Sequence, residues 1–479
     1  MPRKQPVPRK QSASPANPRK RNAQPATTED PAILEDLAII YAEIISRNPE
    51  HDFDPTLDRV KRVCELLGDP QHAFHAVHIT GTNGKTSTAR MTESLIREHG
   101  LRTGLFTSPH LQSVTERIQI DGEPISAQAF VDTWNDIAPY IGVADRESQE
   151  AGGPRLSFFE VLTVMAYAAF ADAPVDVAVI EVGMGGEWDS TNVINAATVI
   201  LTPIDIDHQK WLGSSIEEIA ATKAGIIKPG ATVISAIQRD EASAIIRHKA
   251  DDERARLLVE GQNLTVLQRT LAVGGQLLTL QTPAGIYQDV FVPLHGEHQA
   301  HNALLALAAA EAVLTGGSAL NAERVEQGLA QVTSPGRLEL LRSSPTIIAD
   351  VAHNPHGATA LAEALNEAFG FRHLVGVIGI LGDKDAESIF AALEPALGSV
   401  VLTRNSSPRC ADPVDLLPIA REIFDVDDVY LEERLDDALQ KATDLAEADD
   451  TVGVGTGTGI LVTGSVITVA DARTLLGVK

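Results

Sequence analysis

Ile79-Thr80-Gly81-Thr82-Asn83-Gly84-Lys85-Thr86-Ser87 is the stretch on which the reading of this chain turns. It follows an apolar run, 74–80, that reads as a strand, and it opens a helical pattern over 87–98. Phosphate binding needs this arrangement. Glycines let backbone N–H groups converge on phosphate oxygens, and the helix N-terminus adds partial positive charge. Lys85 can reach the β- and γ-phosphates, and Thr86 can sit near a metal ion. Ile79 stands where the common phosphate loop has its first glycine, and Gly81 supplies the freedom two residues later. An ordinary strand-to-helix turn is the competing reading, and Gly-Lys-Thr in this setting argues against it.

Outward from the loop, β-like runs alternate with helical patterns. Strands are expected at 103–107, 175–182 and 197–203, with a long helix over 158–171. The last two strands are apolar throughout, which suits parallel strands covered on both faces. In an open parallel sheet the strand C-termini face the ligand crevice. Ser108 follows one strand and could ligate Mg²⁺. Glu181 ends another and runs into Gly183-Met184-Gly185-Gly186. His208 closes Ile204-Asp205-Ile206-Asp207. Mg²⁺ prefers oxygen ligands, so His208 reads either as an unusual ligand or as a hydrogen-bonded structural residue.

Helical spacing also marks 32–46, 56–67, 299–314 and 321–329. Short alternating runs between 257 and 293 read as a small antiparallel addition. After Pro335-Gly336 a second α/β series begins, with strands expected at 346–351, 373–380, 399–403 and 451–454. The expected architecture is therefore two tandem α/β domains. A phosphate-loop domain with a mostly parallel sheet covers 32–332, and a Rossmann-like domain covers 333–479, with a cleft between them.

The chain has 479 residues, of which 44% are hydrophobic, enough for sizeable cores without a disulfide or metal staple. Its formal net charge of −26 argues against nucleic acid or an anionic membrane as partner. Residues 1–28 oppose the trend, with seven Lys/Arg and no Asp/Glu. Pro-Arg-Lys recurs three times there, and 1–31 reads as a disordered basic tail. Cys64 and Cys410 lie far apart, which suits a reducing compartment. No apolar run is long enough to span a bilayer or serve as a secretory signal, so a cytoplasmic protein is expected.

The set Gly81-Thr-Asn-Gly-Lys-Thr, Thr107-Ser-Pro-His, Phe158-Phe-Glu, Glu181-Val-Gly-Met-Gly-Gly, Asp207-His208, Lys223-Ala-Gly-Ile, Pro335-Gly-Arg and Asp350-Val-Ala-His-Asn-Pro-His resembles folylpolyglutamate synthases of the Mur ligase superfamily. It is most similar to the bacterial bifunctional form that is also dihydrofolate synthase, in motif order from about residue 32 to the C-terminus. The resemblance implies an ATP-dependent, amide-forming ligase of folate biosynthesis. It would add L-glutamate to dihydropteroate or a folylpolyglutamate through an acyl phosphate, which closure of the two domains would shield from water.

The resemblance also implies roles for matched residues. Thr82, Asn83, Gly84, Lys85 and Thr86 would hold the ATP phosphates, and Asn302, Arg337 and Asp350 would contact the nucleotide. Ser108, Glu181 and His208 would surround Mg²⁺. Lys223 matches a lysine that is carbamoylated in the family, an anion that could serve a second Mg²⁺. His353 would lie on the glutamate side. The pterin would rest against Ser157, Phe158, Phe159, Glu160, Trp188, Asp189 and Ser190, with Asp52, Phe53 and Asp54 bordering it. A monomer is the family expectation.

Two rivals compete with this reading. A Mur-type ligase acting on a UDP-muramoyl peptide would need a nucleotide-sugar domain before the phosphate loop, and only about 50 foldable residues precede Gly81. A nucleotide-dependent switch would leave Lys223 and Arg337 idle. Gly453–Gly459 reads as a loop or strained strand rather than a second nucleotide site. Gly382-Asp-Lys-Asp385 reads equally as a cleft residue set or a solvated turn, and the acidic helices at 432–450 as solvated faces.

Overall fold

The computed structural model describes residues 30–48, 55–448 and 457–478. The basic tail and the Asp52–Asp54 segment fall outside these, save for the end of the tail at residues 30 and 31. The first sheet is built from β1 (His75–Thr80), β2 (Thr103–Phe106), β3 (Ile118–Ile120), β4 (Glu123–Pro124), β5 (Val177–Glu181), β6 (Thr198–Leu201), β7 (Thr232–Ser235) and β8 (Arg256–Val259). Their order is β4-β3-β2-β5-β1-β6-β7-β8, and only β3 and β4 run antiparallel to their neighbours.

The apolar strands are apolar because each feeds two cores. Successive side chains point to opposite faces. Ala178, Ile180, Val199 and Leu201 enter one cluster, against the helices Phe158–Asp172 and Ile216–Ala224. Val77, Ile79, Val177, Val179 and Ile200 enter the other, against Lys85–Glu98 and Glu297–Thr315.

A separate antiparallel sheet follows: β9 (Thr265–Ala272), β10 (Gly275–Thr282) and β11 (Gly285–Val292). The expected antiparallel addition over 257–293 thus starts later than its alternation suggested, because β8 pairs parallel with β7 and belongs to the main sheet. The helix Ala127–Glu150 and the strand β7 were not expected from the sequence.

The second sheet contains β12 (Glu339–Ser343), β13 (Thr346–Ala349), β14 (His373–Ile378), β15 (Ser399–Leu402), β16 (Val429–Leu431) and β17 (Thr458–Thr463), in the order β12-β13-β17-β14-β15-β16. All but β12 are parallel. It too lies between two cores. The strand expected at 451–454 lies outside the described residues. The strand beside β14 is β17, which begins within the glycine run. Its Gly459 is required there, because a Cβ would stand 2.5 Å from the Phe371 ring.

Among the described residues no helix is long and apolar enough to cross a membrane. The C-terminal ends of both parallel sheets open into one cleft of about 1770 Å³, larger than a usual single-ligand pocket.

Candidate active site

The phosphate loop is shaped by what its glycines avoid. Gly81 has φ +150°, and a Cβ there would lie 1.9 Å from Thr202 Oγ1. Gly84 has φ +85° and caps the helix Lys85–Glu98, and its Cβ would lie 2.7 Å from Asn302 Oδ1. Only glycine meets both demands. Thr82 Oγ1 donates to the Asp205 carbonyl at 2.9 Å and ties the loop to the end of β6.

Four ionisable or hydroxyl groups converge behind the loop. Lys85 Nζ donates to the Gly81 and Thr82 carbonyls at 3.1 and 3.0 Å. Burial pulls its pKa down, against the opposing pull of Glu181. Lys223 Nζ donates to the same Gly81 carbonyl at 2.7 Å. Its side chain is buried, and burial, then repulsion from Lys85, lowers its pKa from 10.5 to about 7. Glu181 is 1% exposed. Thr86 Oγ1 is 3.0 Å from each of its carboxylate oxygens, and the Ser108 backbone N–H donates to it at 3.3 Å. Burial raises the Glu181 pKa, with Lys85 and Thr86 opposing.

This donor set fits a hard cation. Lys85 only partly offsets the burial of this carboxylate, and hydroxyls lie on it and beside it. No group of three His, Cys, Asp or Glu that could hold a metal occurs among the described residues. A cation here would complete its shell with hydroxyls, water and phosphate oxygens, as Mg²⁺ does. Lys223 as an amine does not fit a cation. It would do so only as a carbamate.

His208 has φ +52° and starts the short helix Gln209–Leu212. Its ring lines the cleft, with Nε2 3.9 Å from Asp207 Oδ2; the side chain is 43% exposed, and partial desolvation against the cleft wall lowers its pKa.

The second domain supplies the facing wall. Arg337 and Asp350 line the cleft. Asp350 accepts from the Leu338 and Ala352 N–H groups, both at 2.9 Å, so it clamps the interdomain linker to the end of β13. His353 Nδ1 lies 2.9 Å from the Val351 carbonyl, so Nδ1 carries the proton and Nε2 keeps its lone pair. Burial lowers its pKa to about 4. Asn302 donates to Gln299 Oε1 at 3.1 Å, and Gln299 reaches Ser87 Oγ at 3.3 Å.

The residues expected around a pterin divide. Ser157, Phe159, Glu160, Trp188, Asp189 and Ser190 line the cleft, whereas Phe158 does not. Phe158 packs instead under Arg117, 5.0 Å away, and against Tyr41. Ser157 and Glu160 form a capping box for their helix, and Glu160 also pairs with buried Arg59 at 3.0 Å. Asp189 accepts from the Met184 and Thr191 N–H groups, and burial raises its pKa to about 6. Ser190 Oγ lies 2.7 Å from Thr163 Oγ1. Asp52, Phe53 and Asp54 are outside the described residues.

Sequence reasoning missed Tyr41 and Arg117 as cleft residues, and saw His110, Asp207, Asn354, His356 and Lys384 only within motifs. Lys384 Nζ lies 2.9 Å from Asp207 Oδ1 across the cleft, so the Gly382–Asp385 turn belongs to the site. Asn354 before Pro355 carried a helix-start signal that could have flagged it. It caps the helix Pro355–Ala368.

Residues 79–310 match the family Mur ligase middle domain, and 336–458 match Mur ligase, glutamate ligase domain. A dihydrofolate synthase/folylpolyglutamate synthase of Mycobacterium tuberculosis is 50% identical over 90% of this chain and 92% of its own. The solved Mycobacterium tuberculosis folylpolyglutamate synthase complexed with ADP superposes with a TM-score of 0.89 at 48% identity, covering 93% of this chain and 99% of that one. A solved FPGS–AMPPCP–folate complex gives a TM-score of 0.78 at 32% identity, over 93% of this chain and 100% of that one. With the phosphate loop, the buried carboxylate and two sheets opening on one cleft, these likenesses identify the chain as a member of the dihydrofolate synthase/folylpolyglutamate synthase family, ATP-dependent ligases of the Mur ligase superfamily.

Proposed function

We propose that this protein uses ATP to join L-glutamate to the carboxyl group of dihydropteroate or of a folylpolyglutamate. The observation that carries the reading is the single cleft, which has the phosphate loop on one wall and Arg337, His353 and Lys384 on the other. Its size leaves room for a nucleotide and an acceptor together. We assign the nucleotide-binding part to 32–332 and the glutamate-ligase part to 333–479, with the protein acting as a monomer.

A carboxylate does not react with an amine, because oxide is a very poor leaving group. In our reading an acceptor carboxylate oxygen attacks the γ-phosphorus, the bond to ADP breaks, and an acyl phosphate forms. The glutamate amine, after losing its ammonium proton, then attacks the acyl carbon, phosphate leaves with that oxygen, and a further proton passes from the nitrogen to the phosphate. The backbone N–H groups of Thr82–Thr86 and the Lys85 side chain would hold the phosphates, so catalysis is largely positioning and charge neutralisation. Arg337 would face the transferring group, with Asn302 and Asp350 at the nucleotide. Ser108, Glu181 and His208 would hold one Mg²⁺ and carbamoylated Lys223 would serve a second, and the two ions would neutralise phosphate charge.

A lysine amine must be neutral to add to CO₂. Lys223, with its pKa near 7, meets that need at neutral pH. Its nitrogen would bond to the carbon of CO₂ and release a proton, leaving a carbamate anion. His353 presents Nε2 as an acceptor, and we assign it to orienting the glutamate amine. The pterin would lie by Ser157, Phe159, Glu160, Trp188, Asp189 and Ser190.

Product analysis with each acceptor separately tests the activity. ADP and phosphate release that requires both acceptor and glutamate is expected. Oxygen-18 placed in the acceptor carboxylate should appear in the phosphate, and its absence there would overturn the acyl-phosphate route.

A further inference from the structure

The tip of the phosphate loop is held by the opposite domain. Asn83 Oδ1 accepts from Asn354 Nδ2 at 3.1 Å. Asn83 Nδ2 donates to Asn354 Oδ1 at 3.3 Å and reaches His356 Nδ1 at 2.9 Å. This leaves the side-chain amide committed to the second domain. Asn354 is 4% exposed and already saturated. Its Oδ1 caps the helix Pro355–Ala368 through the Gly357 N–H at 2.8 Å, and its Nδ2 also donates to Asp207 Oδ2 at 3.2 Å. Asp207 in turn binds Lys384. Burial alone would raise the Asp207 carboxyl, but His208, Lys384 and His353 together hold it well below the usual range.

Thus four segments meet: the loop after β1, the loop after β6, and two second-domain segments that carry Asn354 and Lys384. Every link except the helix cap crosses the cleft. Opening the cleft would break all of the crossing links at once and leave Asn354 and Asp207 to exchange them for water. Lys85 and Thr86 follow Asn83 by two and three residues, so whatever fixes Asn83 fixes the loop that should grip phosphate.

We infer that Asn83 is a positioning residue, an interdomain latch through which closure of the second domain sets the phosphate loop for transfer. The inference rests on the ligase reading for its kinetic arm only.

The test is a double-mutant cycle with N83A and N354S in the full chain. Serine keeps the helix cap and loses the reach to Asn83. Each single variant is expected to lose about tenfold in kcat while binding of a non-hydrolysable ATP analogue changes less than about threefold. The double variant should lose no more than the worse single one. Distance between dyes placed on exposed sites of the two domains, measured with the ATP analogue and no turnover, should broaden in all three variants, and more with N354S, which also loses the Asp207 link, than with N83A. Additive losses, or an unchanged interdomain distance, would overturn the latch. The distance arm stands even if the acceptor assignment fails. A loss confined to nucleotide affinity would make Asn83 an ordinary nucleotide ligand and also reject the proposal.

Discussion

The two walls of the cleft are built by different means. The first-domain wall is a backbone device: Gly81 and Gly84 adopt conformations and approaches that no side chain permits, with Lys223 and Glu181 buried and Lys85 half-buried around them. The second-domain wall is a side-chain device. Asp350, His353, Asn354 and Lys384 follow strand ends, and Asn354 and Lys384 are held by partners from the other domain. A backbone device fails all at once when disturbed, whereas a network of side-chain links should fail by degrees.

Four variants test that contrast, from the largest effect down. K85A should remove turnover by about a thousandfold or more while thermal unfolding shifts little, because the lost amine acts on phosphate charge. Wild-type-like kcat in a folded K85A protein would reject the phosphate-loop assignment. K223A should lose about a hundredfold, with partial rescue by a small carboxylic acid that stands in for the proposed carbamate.

The same lysine gives a pH signature. Below about pH 7 its amine is protonated and cannot take up CO₂, and above it the neutral form can. Activity in bicarbonate-depleted buffer should therefore recover on adding bicarbonate at pH 8 and much less at pH 6. Carbon-13 bicarbonate should give a carbamate signal that K223A lacks.

G84A should weaken ATP-analogue binding by roughly tenfold to a hundredfold in a calorimetric titration, since the left-handed backbone and the Asn302 contact both resist a Cβ. Affinity within twofold of the parent would show that the loop tolerates a side chain. On the opposite wall, K384M should cost about tenfold in kcat/KM, by leaving Asp207 buried without its nearest cation. A loss as large as that of K85A would erase the proposed difference between the walls.

The same contrast explains what could be read in advance. Gly81-Thr-Asn-Gly-Lys-Thr was legible because its conformational demand is local and glycine is its only solution. The strands at 177–181 and 198–201 were legible because burial on both faces makes a strand apolar throughout. The helix Ala127–Glu150 was not expected, and its burial was settled by packing against helices distant in sequence. The run around Gly459 read as irregular because glycine disfavours strands in general, yet the Phe371 ring makes glycine necessary there.

By itself the sequence determined the alternation of strands and helices, the phosphate loop, and the order of motifs along two α/β halves. These are local or short-range properties, written in periodicity and in residues with few permitted conformations. Only the tertiary structure decided that Asn83 faces Asn354, that Lys384 neutralises Asp207, and that Phe158 turns away from the cleft. Such pairings join residues up to 271 positions apart. Their energy exists only once both sheets have formed and their edges meet, so no local stretch of chain could encode them.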